Sequence, residues 1–115
     1  MIIAIAGPYS APTPLLRRKN LDALNKAAAS VLLMGHVPLV GVNAALPVIR
    51  KAKPVIAYEC IMKISMALVS VCDGLLLIGE SPGANSERDH FLSLGKPVFY
   101  SLDALRHYSE KGEDT

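Results

Sequence analysis

Gly74-Leu75-Leu76-Leu77-Ile78-Gly79, then Glu80, then Ser81-Pro82-Gly83-Ala84-Asn85-Ser86-Glu87 is the stretch that decides the fold. An apolar run opens through a Gly/Pro turn into a helix, expected from Arg88 to Leu94. A strand buried on both faces and followed at once by a helix is the repeating step of an α/β domain. Such a junction also carries chemistry. The first amides of a helix lack internal partners, and the helix dipole is positive there. Glu87 is expected in or just after that first turn, facing the same crevice as Ser81. A hydroxyl, free amides and a carboxylate at one strand end suit a sugar or a nucleotide, with Glu87 as the reactive group.

Outward from this stretch the same alternation repeats. Ile2 to Ala6 is short and wholly apolar, as a doubly covered strand should be. A long turn, Gly7 to Pro14, leads to a helix from Leu16 to Met34, with Leu21, Leu24, Ala28, Val31 and Leu32 at helical spacing. Gly35 is placed to end it. Val37 to Val40 reads as a second strand, and Pro38 puts it at an edge. Gly41 to Lys53 has no clear period and reads as a loop with at most one helical turn. Pro54 opens a helix to about Val71, Leu75 to Ile78 is the third strand and Pro97 to Tyr100 the fourth. Leu102 to about Tyr108 is the last helix, leaving 109–115 as a charged, flexible tail beyond a domain of residues 1–108.

The pattern predicts a single α/β three-layer domain, Rossmann-like or flavodoxin-like. Its parallel sheet has about four strands in order 2-1-3-4, with right-handed crossovers. In such sheets ligands bind beyond the carboxyl ends of the strands, where the strand order reverses. That rule selects Gly7 to Ser10, Gly41 to Asn43 and Glu80 to Glu87. The candidate substrate-binding residues are therefore Gly7, Tyr9, Ser10, Asn43, Ser81 and Gly83, beside Glu87.

Composition excludes several classes. The chain has 115 residues, 51% apolar and 19% charged, with a net charge of +2 and no basic block. A nucleic-acid partner is not expected. Cys60 and Cys72 lie inside apolar runs and outside any CxxC spacing, which reads as reduced, buried and cytoplasmic. Asp73 and Gly74 interrupt the longest apolar stretch, so no membrane span is expected. His36, His90 and His107 share no ligand spacing with the cysteines, so no metal site is predicted. The first turn lacks both the GxGxxG and the Gly-Lys-Ser pattern, which argues against NAD or ATP, and no cofactor is expected. Arg17 and Arg18 read as a solvated helix face rather than phosphate ligands, and Asp73 as structural, at the amino end of its strand.

These strand ends resemble a known group. Ile3-Ala4-Ile5-Ala6-Gly7-Pro8-Tyr9-Ser10 is similar to the opening of the nucleoside 2-deoxyribosyltransferase-like superfamily. Gly35-His36-Val37-Pro38, Cys72-Asp73-Gly74-Leu75, Ser81-x-Gly83-x-x-x-Glu87 and Leu94-Gly95-Lys96-Pro97-Val98 follow in its order. The resemblance spans roughly Met1 to Tyr100, except Gly41 to Ala57, and is nearest to the superfamily's short members and its deoxynucleotide N-hydrolase-like branch. It implies cleavage or transfer of the N-glycosidic bond of a 2′-deoxynucleoside or its 5′-monophosphate. Glu87 would be the nucleophile that forms a glycosyl ester, Ser81 a contact of the 5′-phosphate, and Tyr9 a wall of the sugar and base pocket. Ser65 stands where active members usually carry an aspartate, eight residues before Asp73. A catalytically silent nucleotide-binding protein is the alternative, and Ser65 favours it.

The Pro54 to Val71 helix is apolar nearly all round, with Glu59 and Lys63 its only charges. Such a helix needs cover beyond one sheet face. The expectation is a homodimer or higher homo-oligomer through it, as the resemblance also implies; the alternative is cover by Gly41 to Lys53 within one chain.

Overall fold

A computed structural model describes residues 1–113 as β1 (Ile2–Ala6), α1 (Pro14–Leu33), β2 (Val37–Leu39), α2 (Gly41–Ala52), α3 (Ala57–Val69), β3 (Gly74–Leu77), α4 (Pro82–Ser93), β4 (Val98–Phe99) and α5 (Leu102–Glu113). The strands form one all-parallel sheet in the order β2-β1-β3-β4. Ile3 to Ala6 pair with Gly74 to Leu77, so the two most apolar strands are its centre. Alternation along them divides the core. Ile3, Ile5 and Leu76 face α1 and α5, packing with Leu24, Val31 and Leu105. Ala4, Ala6, Leu75 and Leu77 face the opposite side, with Val69 of α3 and Ala84 and Phe91 of α4. The small alanines of β1 let α3 and α4 approach that side closely.

Local signals set most helix ends. Thr13 caps α1 through its Oγ1, which accepts from the Leu16 amide at 3.2 Å, and Pro14 follows as the first helical residue. Gly35 and Gly95, with φ of 93° and 70°, turn the chain out of α1 and α4 where a side chain would be strained. Two residues within the stretches that carry the resemblance have structural duties. Asp73 Oδ2 accepts from the Ile2 amide at 2.7 Å, at the amino end of the sheet. Lys96 Nζ donates to the carbonyls of Ser70 and Cys72, both at 2.8 Å, tying the entry of β4 to the end of α3.

The 41–53 segment corrects the sequence reading. It is a three-turn helix, α2, although Pro47 lies inside it and Val40 gives no side-chain cap. Gly41, Ala45 and Leu46 are buried and Val42 and Ile49 half-buried, a helical stripe that packing rewards although propensity does not. Lys53 ends α2 in a left-handed conformation, φ 49°. Pro54 therefore falls in the turn between α2 and α3, and α3 starts at Ala57, three residues later than the proline predicts. The two helices pack as a hairpin. α4 also begins earlier than expected, at Pro82. The expected tail over 109–115 is helical as far as Glu113, and residues 114–115 lie outside the described residues. Among the described residues, no helix is long and apolar enough to cross a membrane.

Candidate functional site

Parallel pairing brings the carboxyl ends of β1 and β3 out side by side, with the Ile78 amide donating to the Ala6 carbonyl at 2.9 Å. From β1 the chain crosses to β2, and from β3 to β4, so the strand order reverses between them. A cavity of about 110 Å³ lies at this point. It is lined by the β1 loop (Gly7, Tyr9, Ser10), the start of α4 (Ser81 to Ala84, and Glu87), and one face of the α2–α3 hairpin. The β1 loop is held from α1. Asn20 Nδ2 donates to the Tyr9 carbonyl and Arg17 Nη1 to the Ala11 carbonyl, both at 2.9 Å.

Glu87 is the buried charge of the site, 6% exposed, and Ser65 beside it is 3% exposed. Ser65 Oγ donates to Glu87 Oε1 at 3.0 Å. Glu87 Oε2 has no such partner, yet among the described residues no polar side-chain atom is sealed without one. That second oxygen is therefore open to the cavity. Burial raises the Glu87 pKa above its ordinary value of 4.5, and the Ser65 hydrogen bond opposes the shift. The positive end of the helix does not offset this burial. α4 begins at Pro82, so Glu87 lies in its second turn, whereas the dipole effect falls off within the first.

The sign of that shift gives a stability prediction. The folded state keeps the Glu87 proton to higher pH than the unfolded chain. The resulting stabilisation is complete below the unfolded pKa and is lost as pH rises through the folded one. Gln at this position does not titrate. Urea unfolding between pH 4 and 8 should show Glu87→Gln gaining stability relative to wild type as pH rises above about 4.5. Parallel profiles would contradict the buried, cavity-facing carboxylate.

Of the residues expected to bind substrate, Gly7, Tyr9, Ser10, Ser81 and Gly83 line the cavity with Glu87, and Asn43 does not. Asn43 is exposed on α2, where its Nδ2 donates to Asn25 Oδ1 at 2.6 Å. Ser81 is the α4 cap, its Oγ accepting from the Ala84 amide at 3.1 Å. Sequence reading missed Tyr58, Ile61 and Met62, which with Ser65, already singled out through the resemblance, form the α3 wall. The signal was present, since these residues recur at i, i+3, i+4 and i+7 and so share one helix face. Two glycines allow the walls to meet. A Cβ on Gly83 would lie 3.0 Å from Met62 Cε, and one on Gly41 would lie 2.9 Å from Ser65 Cα. Among the described residues no cluster of three His, Cys, Asp or Glu could hold a metal ion. No family model matches the chain, and no curated protein does.

Proposed function

We propose that the chain cleaves or transfers the N-glycosidic bond of a 2′-deoxynucleoside or its 5′-monophosphate, with Glu87 as nucleophile. One observation carries the reading: a buried carboxylate at the strand-order reversal, with one oxygen held by Ser65 and the other open to a small cavity. About 110 Å³ is less than the ~300–1,000 Å³ that encloses a drug-sized ligand. It suits a ring the size of a pentose, leaving the base in the mouth between Tyr9 and Tyr58. In the first step Glu87 Oε2 bonds to C1′ while the C1′–N bond breaks. The electron pair leaves on the base nitrogen, which takes a proton from solvent. In the second, water or another base attacks C1′ and frees the carboxylate. Burial leaves the ionised form poorly solvated and so more reactive, and Ser65 fixes its orientation.

Incubation with the four 2′-deoxynucleosides and their 5′-monophosphates, followed by chromatography, should show free base. The absence of free base from all eight would remove the enzymatic reading. A protein that binds nucleotides without turnover is the second reading. It is favoured by Ser65, whose hydroxyl cannot protonate a leaving base as a carboxylic acid could.

The reading extends to assembly and setting. α2 covers part of α3 within the chain, which leaves the turn between them bare, with Val55 102% and Ile56 55% exposed beside half-exposed Tyr58. We infer a homo-oligomer that covers this apolar tip next to the cavity mouth. Sedimentation at several concentrations should show wild-type association that Val55→Asp weakens by at least about tenfold, since a buried unpaired charge costs more than 1.4 kcal/mol. A wild-type monomer at high micromolar concentration would contradict it. Cys60 and Cys72 are both free thiols, in keeping with a cytoplasmic setting.

A further inference from the structure

A second cavity shares Tyr9 with the one that holds Glu87, and its chemistry is different. It measures about 320 Å³, and Arg17, Arg18 and Arg50 line it together with Tyr9, Leu21 and Leu46. We propose that this cavity holds the phosphate of the ligand, so that the substrate is a deoxynucleotide in preference to a deoxynucleoside. The inference rests on the proposed function for the sugar and base, but on the arginines alone for the phosphate.

Three observations converge. Three arginines and no acidic residue line the cavity, and none of the three forms an ion pair among the described residues. Unneutralised like charges around one recess repel one another, and an anion relieves that repulsion. Next, Arg17 and Arg18 lie early in α1, the helix end at which the dipole disfavours cations, and the first turn has no acidic residue to offset them. A charge pattern that breaks a local rule marks a site where function sets the sequence. Arg17 is also oriented, through Nη1 on the Ala11 carbonyl at 2.9 Å. Finally, the start of α4 is a poor rival for the anion. Pro82 has no amide hydrogen and the Ala84 amide is taken by Ser81 Oγ, which leaves Gly83 as the free amide among the first three residues. Guanidinium groups grip phosphate oxygens two at a time, a stronger hold than one backbone amide.

The arrangement also gives Tyr9 a place. It is the wall common to both cavities, and its carbonyl is fixed by Asn20. A ligand with its sugar over Glu87 and its phosphate among the arginines would pass along this side chain.

Titration calorimetry with matched 2′-deoxynucleosides, their 5′-monophosphates and inorganic phosphate tests the assignment. The main variant is Arg18→Gln/Arg50→Gln, since neither residue makes a hydrogen bond among the described residues beyond its helix backbone. Wild type should bind the monophosphate at least about tenfold tighter than the nucleoside, as one or more charge-assisted bonds provide. Inorganic phosphate should compete with the monophosphate. The double Gln variant should lose most of that preference, and Arg18→Lys/Arg50→Lys, which keeps the charge but not the fork, should keep part of it. An equal preference in the Gln variant would overturn the proposal, as would wild type that binds nucleoside and nucleotide alike or ignores inorganic phosphate. The chemistry fails separately. If no base is released but the variant still loses its preference for the monophosphate, the cavity assignment stands. If base is released and the preference is unmoved by the variant, the cavity assignment falls and Glu87 stands.

Discussion

Glu87→Gln is expected to abolish the proposed release of free base while ligand affinity stays within about tenfold of wild type, a window of ~1.4 kcal/mol. Glutamine has nearly the shape of glutamate, and its carbonyl oxygen can still accept from Ser65 Oγ, now 3.0 Å from Glu87 Oε1. What it lacks is an oxygen able to form and then release an ester with C1′. Removing a nucleophile lowers turnover by on the order of 10⁴-fold or more, because the remaining contacts bind but do not react. The buried position makes the swap mild for the fold, since a neutral amide costs less to bury than a carboxylate. Chromatography of free base at saturating ligand, beside a binding isotherm, separates the two effects. A variant with wild-type turnover would show that Glu87 is a structural carboxylate, and the glycosyl-transfer reading would go with it.

Gly41→Ala is the substitution expected to harm the fold most for its size. The first residue of α2 lies against α3, and an added Cβ would come within 2.8 Å of Ser65 Cβ and 2.9 Å of its Cα. Neither atom is the flexible end of a side chain, so one helix must move. Overpacking of this kind costs about 1–3 kcal/mol. Moving Ser65 also takes the hydrogen bond from Glu87 Oε1, and a buried oxygen left without its partner adds ~1–3 kcal/mol. Urea unfolding should therefore show a clear fall in midpoint, with a loss of catalytic rate in whatever fraction folds. A variant within about 0.5 kcal/mol of wild type would mean that the α2–α3 contact yields easily and does not position Glu87.

The alternation of apolar runs and periodic helices made the sheet order legible, since the turns that follow β1 and β3 call for adjacent central strands and Pro38 marks β2 as an edge. Gly35 marked the end of α1 by local chemistry that needs no tertiary contact, whereas the caps Thr13 and Ser81 did not set the expected starts of α1 and α4, which fell at Leu16 and Arg88 instead of Pro14 and Pro82. The α2–α3 hairpin was not legible for the opposite reason. Pro47 argues against a helix locally, and α2 persists because Ala45 and Leu46 are buried there. Pro54 was misread in the same way, as a helix start instead of the turn that Lys53 begins. With α2 unseen, Tyr58, Ile61 and Met62 could be assigned to an interface but not to a cavity wall. The same blindness placed Asn43 in the site, when the first turn of α2 carries it to the surface beside Asn25. Glu87 was legible because strand, turn and helix fix its place. Its raised pKa was not, because burial beneath α3 is a tertiary fact.

A glycosyl ester on Glu87 can be sought directly. Turnover of a 2′-deoxynucleoside 5′-monophosphate is quenched with acid, and the intact chain and its peptides are weighed by mass spectrometry. A 2-deoxyribosyl adduct carrying the 5′-phosphate is expected on the peptide that contains Glu87, absent from Glu87→Gln. Release of free base with no adduct at any quench time, or an adduct on another residue, would contradict it.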